Sequence, residues 1–233
     1  MNFYILLTAL FPIGILLFYI WRKDKEQPEP MGWLVKAFFF GVLSVLVSFC
    51  ISIPLGMLGL YSDEPAMVCE AFKTAFYGAA IPEECAKLFM LWLVLRKNPY
   101  FDEKMDGIVY AVFVSLGFAA IENVMYLFDN YDSFLEVGVI RALFAVPGHF
   151  CYGVLMGYYY SLVKFYPKVT LRTKCLVLLA PVVAHGLYDA ILMSAPVLAD
   201  ISWLALLLMV LFLYFCHKMW KYASLRIKDY VGQ

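Results

Sequence analysis

Long apolar stretches recur along the whole chain, and short segments that carry most of the charged side chains separate them. Each stretch approaches the roughly 20 apolar residues that a helix needs to cross a lipid bilayer. Because backbone groups in lipid must satisfy their hydrogen bonds internally, such stretches are predicted to be helical. The pattern predicts about seven spans. They are Phe3–Trp21, Trp33–Leu55, Pro82–Lys97, Gly107–Phe128, Gly138–Phe165, Cys175–Ser194 and Ile201–Trp220.

The segment from Ala66 to Ala79 differs from these spans, because it is short and carries Glu70 and Lys73. Its length is below what a helix needs to cross a bilayer comfortably. We therefore predict a short partial or interfacial helix before Pro82. The alternative is that this segment also crosses, which would give eight spans.

The composition supports a membrane protein and excludes some classes of function. The chain is 64% hydrophobic and 15% charged, whereas soluble domains are about half apolar and about a quarter charged. Lys plus Arg and Asp plus Glu balance at 18 each, which argues against nucleic-acid binding. The predicted fold is all-α, a polytopic helical bundle forming one membrane-embedded domain over residues 1–233, with its motif-bearing core at about 66–194.

Loop charges predict an orientation, because Lys and Arg in short loops stay on the cytoplasmic side. The basic loops are 22–25, 96–104, 164–174 and 217–228, and the acidic or uncharged loops are 60–65, 129–136 and 195–200. These two sets alternate correctly if the N-terminus is outside, the C-terminus is cytoplasmic and seven spans cross.

Ionisable residues inside apolar spans are costly and usually mark a functional site. Four spans contain such residues or polar neighbours, and the predicted orientation brings them to similar depths. Glu83 and Glu84 open the third span and are expected near its outer end. The candidate set is Glu83, Glu84, Lys87, Glu122, Asn123, His149, His185 and Asp189.

The spacing of these residues indicates which of them share a helix face. Glu83 and Lys87 are four residues apart and can pair, and His185 and Asp189 can do the same. An Asp beside a His fixes the tautomer of the imidazole. Simpler explanations stay open at this point: a carboxylate pair favours a helix N-terminus, and a lone intramembrane Glu122 can serve as a structural hydrogen-bond partner.

Arg141, near the outer end of the fifth span, is also polar, and it either snorkels to the interface or pairs with a site carboxylate.

Carboxylates, imidazoles and an ammonium within a membrane suit three kinds of chemistry. A buried Glu can act as a general base for peptide hydrolysis, with His as electrophile or acid. The same side chains could bind zinc or form an ion pathway in a transporter. The sequence contains no HExxH motif and no evident Ser-His or Cys-His pattern.

Three motifs occur in order on separate spans and closely resemble those of the PrsW family of bacterial membrane proteases. They are Glu83-Glu84-x-x-Lys87, Phe118-x-x-x-Glu122 with the adjacent Asn123, and His185-x-x-x-Asp189, with the additional His149 between the second and third. The chain is distantly similar to CAAX prenyl proteases and bacteriocin-processing proteins, which carry EExxxR and FxxxH. Lys87 lies one residue earlier than that Arg, and Glu122 replaces that His, so the pattern favours PrsW.

The resemblance implies a glutamate-type endopeptidase in the bacterial cytoplasmic membrane, without a cofactor. Its expected substrate is a single-pass membrane protein such as an anti-sigma factor, given a first, site-1-type cut near the extracytoplasmic face. Glu83 would activate water, with Glu84 as its neighbour or substitute. His149 and His185 would stabilise the oxyanion or carry the proton, Asp189 would orient His185, and Glu122 would complete the pocket, with Lys87, Asn123 and Phe118 in support.

Two alternatives accompany this expectation. One is a zinc-dependent protease that uses His149, His185, Glu83 and Glu122 as ligands. The other is a non-enzymatic membrane protein, either a transporter or a scaffold that binds substrates without cutting them.

Overall fold

The computed structural model describes residues 2–25 and 27–231, and this part of the chain is helical without strands. Seven long helices account for most of it. They are α1 (Asn2–Lys23), α2 (Met31–Met57), α3 (residues 68–95), α4 (Lys104–Asp129), α5 (residues 134–165), α6 (Leu171–Val197) and α7 (Ser202–Tyr230). The prediction of an all-α helical bundle is confirmed.

Six of the seven helices are long and apolar enough to cross a membrane, namely α1, α2, α4, α5, α6 and α7. The remaining helix, α3, carries the acidic pair Glu83 and Glu84 together with Lys87, which lowers its hydropathy. The protein is therefore a multi-pass membrane protein. Helix α3 carries three of the candidate site residues.

The helix predicted before Pro82 exists, but it is not a separate element. It begins at Val68, continues through a π-helical segment at Thr74–Ala80 and joins Ile81–Leu95 without a break. Glu83 thus lies fifteen residues beyond Val68, about 22 Å along the axis. It is near the middle of α3, so the expectation that it lies at the end of a span is corrected.

The last helix is also longer than predicted. Helix α7 continues past Trp220 to Tyr230, so the basic segment with Lys221, Arg226 and Lys228 is helical. Arg226 donates to Tyr158 of α5 and pairs with Asp229 on its own helix. These contacts extend the packed helix beyond its apolar part, which is the only part that hydropathy detects.

Helix α4 is the centre of the bundle. In the most apolar 18-residue window of α4, 78% of the residues are buried inside the protein. The corresponding share for α7, which lies at the periphery, is 6%. Helices α2 and α5 make the most extensive contacts with α4. The contact with α5 requires glycine, because a Cβ on Gly157 would lie 2.6 Å from the Cα of Ile108. Close backbone approach of this kind is typical of membrane helices with small interface residues.

Candidate active site

Two π-helical segments position the polar side chains, and each directly precedes a proline. In α3, the N–H of Ile81 bonds the carbonyl of Phe76, just before Pro82. In α5, the N–H of Val146 bonds the carbonyl of Arg141, just before Pro147. Proline has no N–H and its ring clashes with the carbonyl four residues earlier, which weakens regular α-helical bonding in the preceding turn and favours a π-helical turn there. Such π-helical turns are frequent at functional sites.

Lys87 lies at the centre of the polar cluster and is fully buried. Its Nζ lies 2.8 Å from Glu84 Oε1, 3.2 Å from Glu83 Oε2 and 3.2 Å from His149 Nδ1. It also lies 4.1 Å above the ring of Phe118. An ammonium group has three donors and no acceptor, so these three polar partners satisfy it completely. It compensates the charge of the acidic pair.

His149 connects Lys87 to helix α4. Because the ammonium only donates, Nδ1 of His149 accepts, which leaves Nε2 as the protonated nitrogen. Nε2 lies 2.8 Å from Glu122 Oε2, and Arg141 Nη2 lies 2.9 Å from the same oxygen. Both ring nitrogens of His149 are therefore engaged. Glu122 is held between an imidazole and a guanidinium, which answers the question of what Arg141 contacts.

Asn123 extends this network to the first helix. Its Oδ1 accepts from Arg141 Nε at 2.7 Å, and its Nδ2 donates to the carbonyl of Ala9 at 3.1 Å. Asn123 is buried, so an unpaired amide there would be costly. The amide thus fixes the position of Arg141 relative to α1 and α4.

His185 of α6 lies between three carboxylates. Its Nδ1 is 3.0 Å from Glu84 Oε1, and its Nε2 is 3.2 Å from Asp189 Oδ2 and 3.9 Å from Glu83 Oε2. The ring stacks on Tyr152 with 4.7 Å between centroids and an interplanar angle of 15°. Both nitrogens face carboxylate oxygens, so the imidazole is oriented to donate on each side.

A cavity of about 510 Å³ opens onto this cluster. The two acidic neighbours differ in their access to it: the Glu83 side chain is 14% exposed, whereas Glu84 is fully buried. The polar and aromatic side chains that line the cavity are Glu83, Glu122, Tyr126, Arg141, His149, Tyr152, His185, Tyr188 and Asp189. Glu83 is therefore the member of the pair that can meet water and substrate.

Glu83, Glu84 and His185 form a group that could hold a metal ion, since one ligand atom from each lies within 4.8 Å of the others. The Oε2 atom of Glu84 is buried and has no hydrogen-bond partner among the described residues. Two carboxylates and one imidazole are suitable ligands for a catalytic Zn²⁺ with an open position. Of the alternative zinc set, Glu83 and His185 belong to this group, whereas His149 and Glu122 bond to each other, to Lys87 and to Arg141.

The structure brings all the predicted site residues together, and it adds others that the motifs do not include. Tyr152 was not predicted, although its spacing of three residues from His149 places both on one face of α5. Tyr126 was also missed, and Arg141 lies 4.0 Å over its ring. Pairing across helices, such as that between His185 and Tyr152, leaves no periodic signal in a single sequence.

Comparison with known proteins agrees with the family that the sequence motifs resemble. The family model described as PrsW family intramembrane metalloprotease matches residues 29–216. The chain is 34% identical over 207 residues to Protease PrsW of Clostridioides difficile (strain 630), covering 88% of this chain and 83% of the relative. It is 33% identical over 191 residues to Protease PrsW of Bacillus subtilis (strain 168), covering 82% and 83%. No solved structure matches the chain.

Proposed function

The chain belongs to the PrsW family of intramembrane proteases and is a multi-pass membrane peptidase, and from this we propose a glutamate-type mechanism for its polar site. In this proposal Glu83 is the general base that activates water. The observation that carries it is the contrast within the acidic pair: Glu83 lines the cavity and is partly exposed, whereas Glu84 is fully buried between Lys87 and His185.

In the first step a water molecule in the cavity gives a proton to the Glu83 carboxylate while its oxygen attacks the peptide carbonyl carbon. The carbonyl π bond opens and its oxygen takes the negative charge of the tetrahedral intermediate. A donor held close to that oxygen lowers the barrier. In this proposal His185 takes this role when its Nε2–H turns from Asp189 to the oxyanion, while Glu84 holds Nδ1 and Tyr152 stacks on the ring.

In the second step the C–N bond breaks and the leaving nitrogen takes a proton. The proton acquired by Glu83 is the source, delivered directly or through His185, and the carboxylate is regenerated. Lys87 holds the acidic pair in place through both steps, since its ammonium contacts Glu83 and Glu84. His149, Glu122 and Arg141 complete the polar wall of the pocket.

A metal-dependent reaction at the same site is the second candidate, favoured by the description of the family and by the unpartnered Oε2 atom of Glu84. Glu83, Glu84 and His185 would hold the ion. When bound, Zn²⁺ would supply a Lewis acid and a water of lowered pKa. Lys87 and Asp189 would then fix the orientation of the carboxylates and of the imidazole.

We propose that the substrate is a single-pass membrane protein such as an anti-sigma factor, given a site-1-type first cut near the extracytoplasmic face of the bacterial cytoplasmic membrane. The resemblance of the motifs supports the substrate class. The alternation of basic and acidic loops, with α3 crossing as the seventh span, supports an orientation with the N-terminus outside and the C-terminus cytoplasmic.

The decisive experiment compares purified wild-type protein with Glu83→Gln and His185→Ala on candidate single-pass substrates, with metal content assayed on the same samples. The matched controls are Glu64→Gln and His217→Ala, because both side chains are exposed and neither lines the cavity. Cleavage lost only in the two site variants, without bound metal, supports the glutamate mechanism.

Loss of cleavage together with stoichiometric zinc in the wild type, reduced in both site variants, supports the metal-dependent candidate instead. If Glu83→Gln cuts as fast as wild type, Glu83 is not the base. If the wild type binds every substrate but cuts none, the scaffold alternative replaces both mechanisms.

A further inference from the structure

A second group of acidic side chains lies at the opposite end of α4 from the protease site. Asp106 is in the first turn of α4, sixteen residues before Glu122, which corresponds to about 24 Å along the helix. Asp24 follows the end of α1, and Glu103 immediately precedes α4. One oxygen from each of these three carboxylates lies within 4.8 Å of the others.

Two of these three carboxylates are buried to a degree that is unusual for charged side chains. Asp24 is 3% exposed and Asp106 is fully buried. Glu29 is 6% exposed and joins the group, because its N–H donates to Asp24 Oδ2 at 3.2 Å and its carboxylate accepts from the hydroxyl of Tyr110. Among the described residues, no Lys or Arg forms a salt bridge with Asp24, Glu29 or Asp106.

The hydrogen bonds available to the group satisfy only part of it. Asp106 Oδ2 caps the start of α4 by accepting from the N–H groups of Asp102 and Glu103, at 3.0 and 2.7 Å. The other oxygens, Oδ1 of Asp24 and Oδ1 of Asp106, are buried and have no hydrogen-bond partner in the described part of the chain. A buried acceptor without a partner costs free energy, so a ligand that contacts these two oxygens would stabilise the group.

A cation suits that role, because the group carries several carboxylates and, in the described part of the chain, no Lys or Arg pairs with Asp24, Glu29 or Asp106. Burial disfavours the charged form of a carboxyl group when no opposite charge compensates it. A bound cation would supply the compensating charge and would also use the unpartnered oxygens.

We propose that Asp24, Glu103 and Asp106, with Glu29 beside them, form a binding site for a hard divalent cation of the Ca²⁺ or Mg²⁺ class. Ca²⁺ takes oxygen ligands at 2.3–2.6 Å, so two oxygens on opposite sides of the ion lie about 5 Å apart. The three carboxylate oxygens lie within 4.8 Å of one another, which is compatible with this arrangement. The site contains no imidazole or thiolate, which distinguishes it chemically from the group at Glu83, Glu84 and His185.

The position of the site gives the cation a structural role. It would join the end of α1 to the start of α4, and the same two helices meet again where Asn123 donates to Ala9. Helix α4 carries Glu122, so the cation would hold the helix that positions one wall of the protease cavity. Cation binding at this site does not depend on the mechanism of peptide cleavage.

The test uses the purified full-length protein, stripped with EDTA and titrated calorimetrically with CaCl₂ and separately with MgCl₂. We expect saturable binding of one ion per chain and a higher melting temperature with the ion than in EDTA. Asp24→Asn and Asp106→Asn should each weaken binding by at least about tenfold. The matched control Asp102→Asn should bind as wild type does, since Asp102 is exposed and outside the group.

Glu83→Gln should also bind Ca²⁺ or Mg²⁺ as wild type does, which separates this site from the protease site. Absence of saturable binding in the wild type, with the same melting temperature in EDTA and in either salt, would overturn the proposal in favour of carboxyl groups that share protons. Binding that persists unchanged in both Asn variants would overturn it as well, because the ion would then lie elsewhere.

Discussion

Lys87 is the residue on which the polar site depends most directly. It compensates two carboxylates and fixes the tautomer of His149, all from one buried position. Removing one partner of a buried ion pair leaves an uncompensated charge, which is more costly than losing the attraction itself. The stability of the bundle is thus linked to the same contacts that arrange the site.

We therefore expect Lys87→Met to lower the free energy of unfolding by about 3–5 kcal/mol, measured by denaturation in detergent. Lys73→Met is the matched control, because Lys73 is on the same helix α3 but exposed, and its loss should change stability by less than about 0.5 kcal/mol. An equal effect of both substitutions would contradict the assigned role of Lys87.

Tyr152 illustrates a residue that acts through its neighbour. Its ring stacks on His185, so Tyr152→Ala should let the imidazole move and should lower kcat about 10- to 100-fold, with KM less affected. Tyr152→Phe retains the stacked ring and should keep most of the activity. Rescue by Phe, compared at equal folded fraction by circular dichroism, distinguishes positioning of His185 from a direct role of the hydroxyl group.

Helices α3 and α5 share a structural feature that a regular α-helix lacks. Each has a π-helical segment that ends just before a proline, and site residues follow within the next turn. A π-helical turn inserts an extra residue and rotates everything after it relative to what comes before. The orientation of Glu83 and Glu84 toward His185 therefore depends on Pro82.

Replacing Pro82 should lower the protease activity without preventing the protein from folding. Pro82→Ala restores an N–H and allows α3 to close into α-helical geometry, which turns Glu83 away from the cavity. We expect cleavage to fall about 10- to 100-fold while the melting temperature stays close to that of wild type. Pro12→Ala in α1 removes a helix proline away from the cavity and should leave cleavage unchanged.

The contact between α4 and α5 requires small residues at fixed positions. A Cβ at Gly157 would approach the backbone of Gly107 and Ile108, so Gly157→Ala should destabilise the protein by about 1–3 kcal/mol through overpacking. Gly14→Ala in α1 is the control, because a Cβ there meets no atom within 4 Å. Thermal unfolding in detergent measures the stability of both variants, and only Gly157→Ala should have a melting temperature below that of the wild type.

The bundle as a whole places two polar clusters at different points along α4, its central helix. Glu122 belongs to the protease site, and Asp106 belongs to the acidic group near the other end. If the loop charges predict orientation correctly, the acidic group faces the cytoplasm, because it lies among the basic loops 22–25 and 96–104.

This orientation can be measured in whole cells. Single cysteines introduced by Ser62→Cys and Lys168→Cys, in a chain whose own cysteines have been replaced, would report on the α2–α3 and α5–α6 loops. We expect a membrane-impermeant thiol reagent to label the cysteine at position 62 and not the one at position 168. The reverse labelling would place the N-terminus inside and would move the proposed cut to the cytoplasmic side.

Hydropathy and motif spacing were sufficient to predict a helical membrane bundle and the charged and imidazole side chains that the structure brings together at its polar site, although not Tyr126 or Tyr152. Each span is recognised by its own composition, and pairs such as Glu83–Lys87 and His185–Asp189 are visible because residues four apart share a helix face. The family followed from the same motifs. These features are local, so they are encoded within single stretches of the chain.

The contacts between helices could be identified only from the tertiary structure. The network from Lys87 through His149 to Glu122 and Arg141 involves three helices, and the stack of Tyr152 on His185 joins two. The burial of Asp24 with Asp106 likewise depends on two distant segments meeting. The π-helical turns before Pro82 and Pro147 set the rotation of each helix, and this rotation decides which helix faces meet. The periodicity of a single helix carries no information about its neighbour, so the sequence pattern alone cannot predict these contacts.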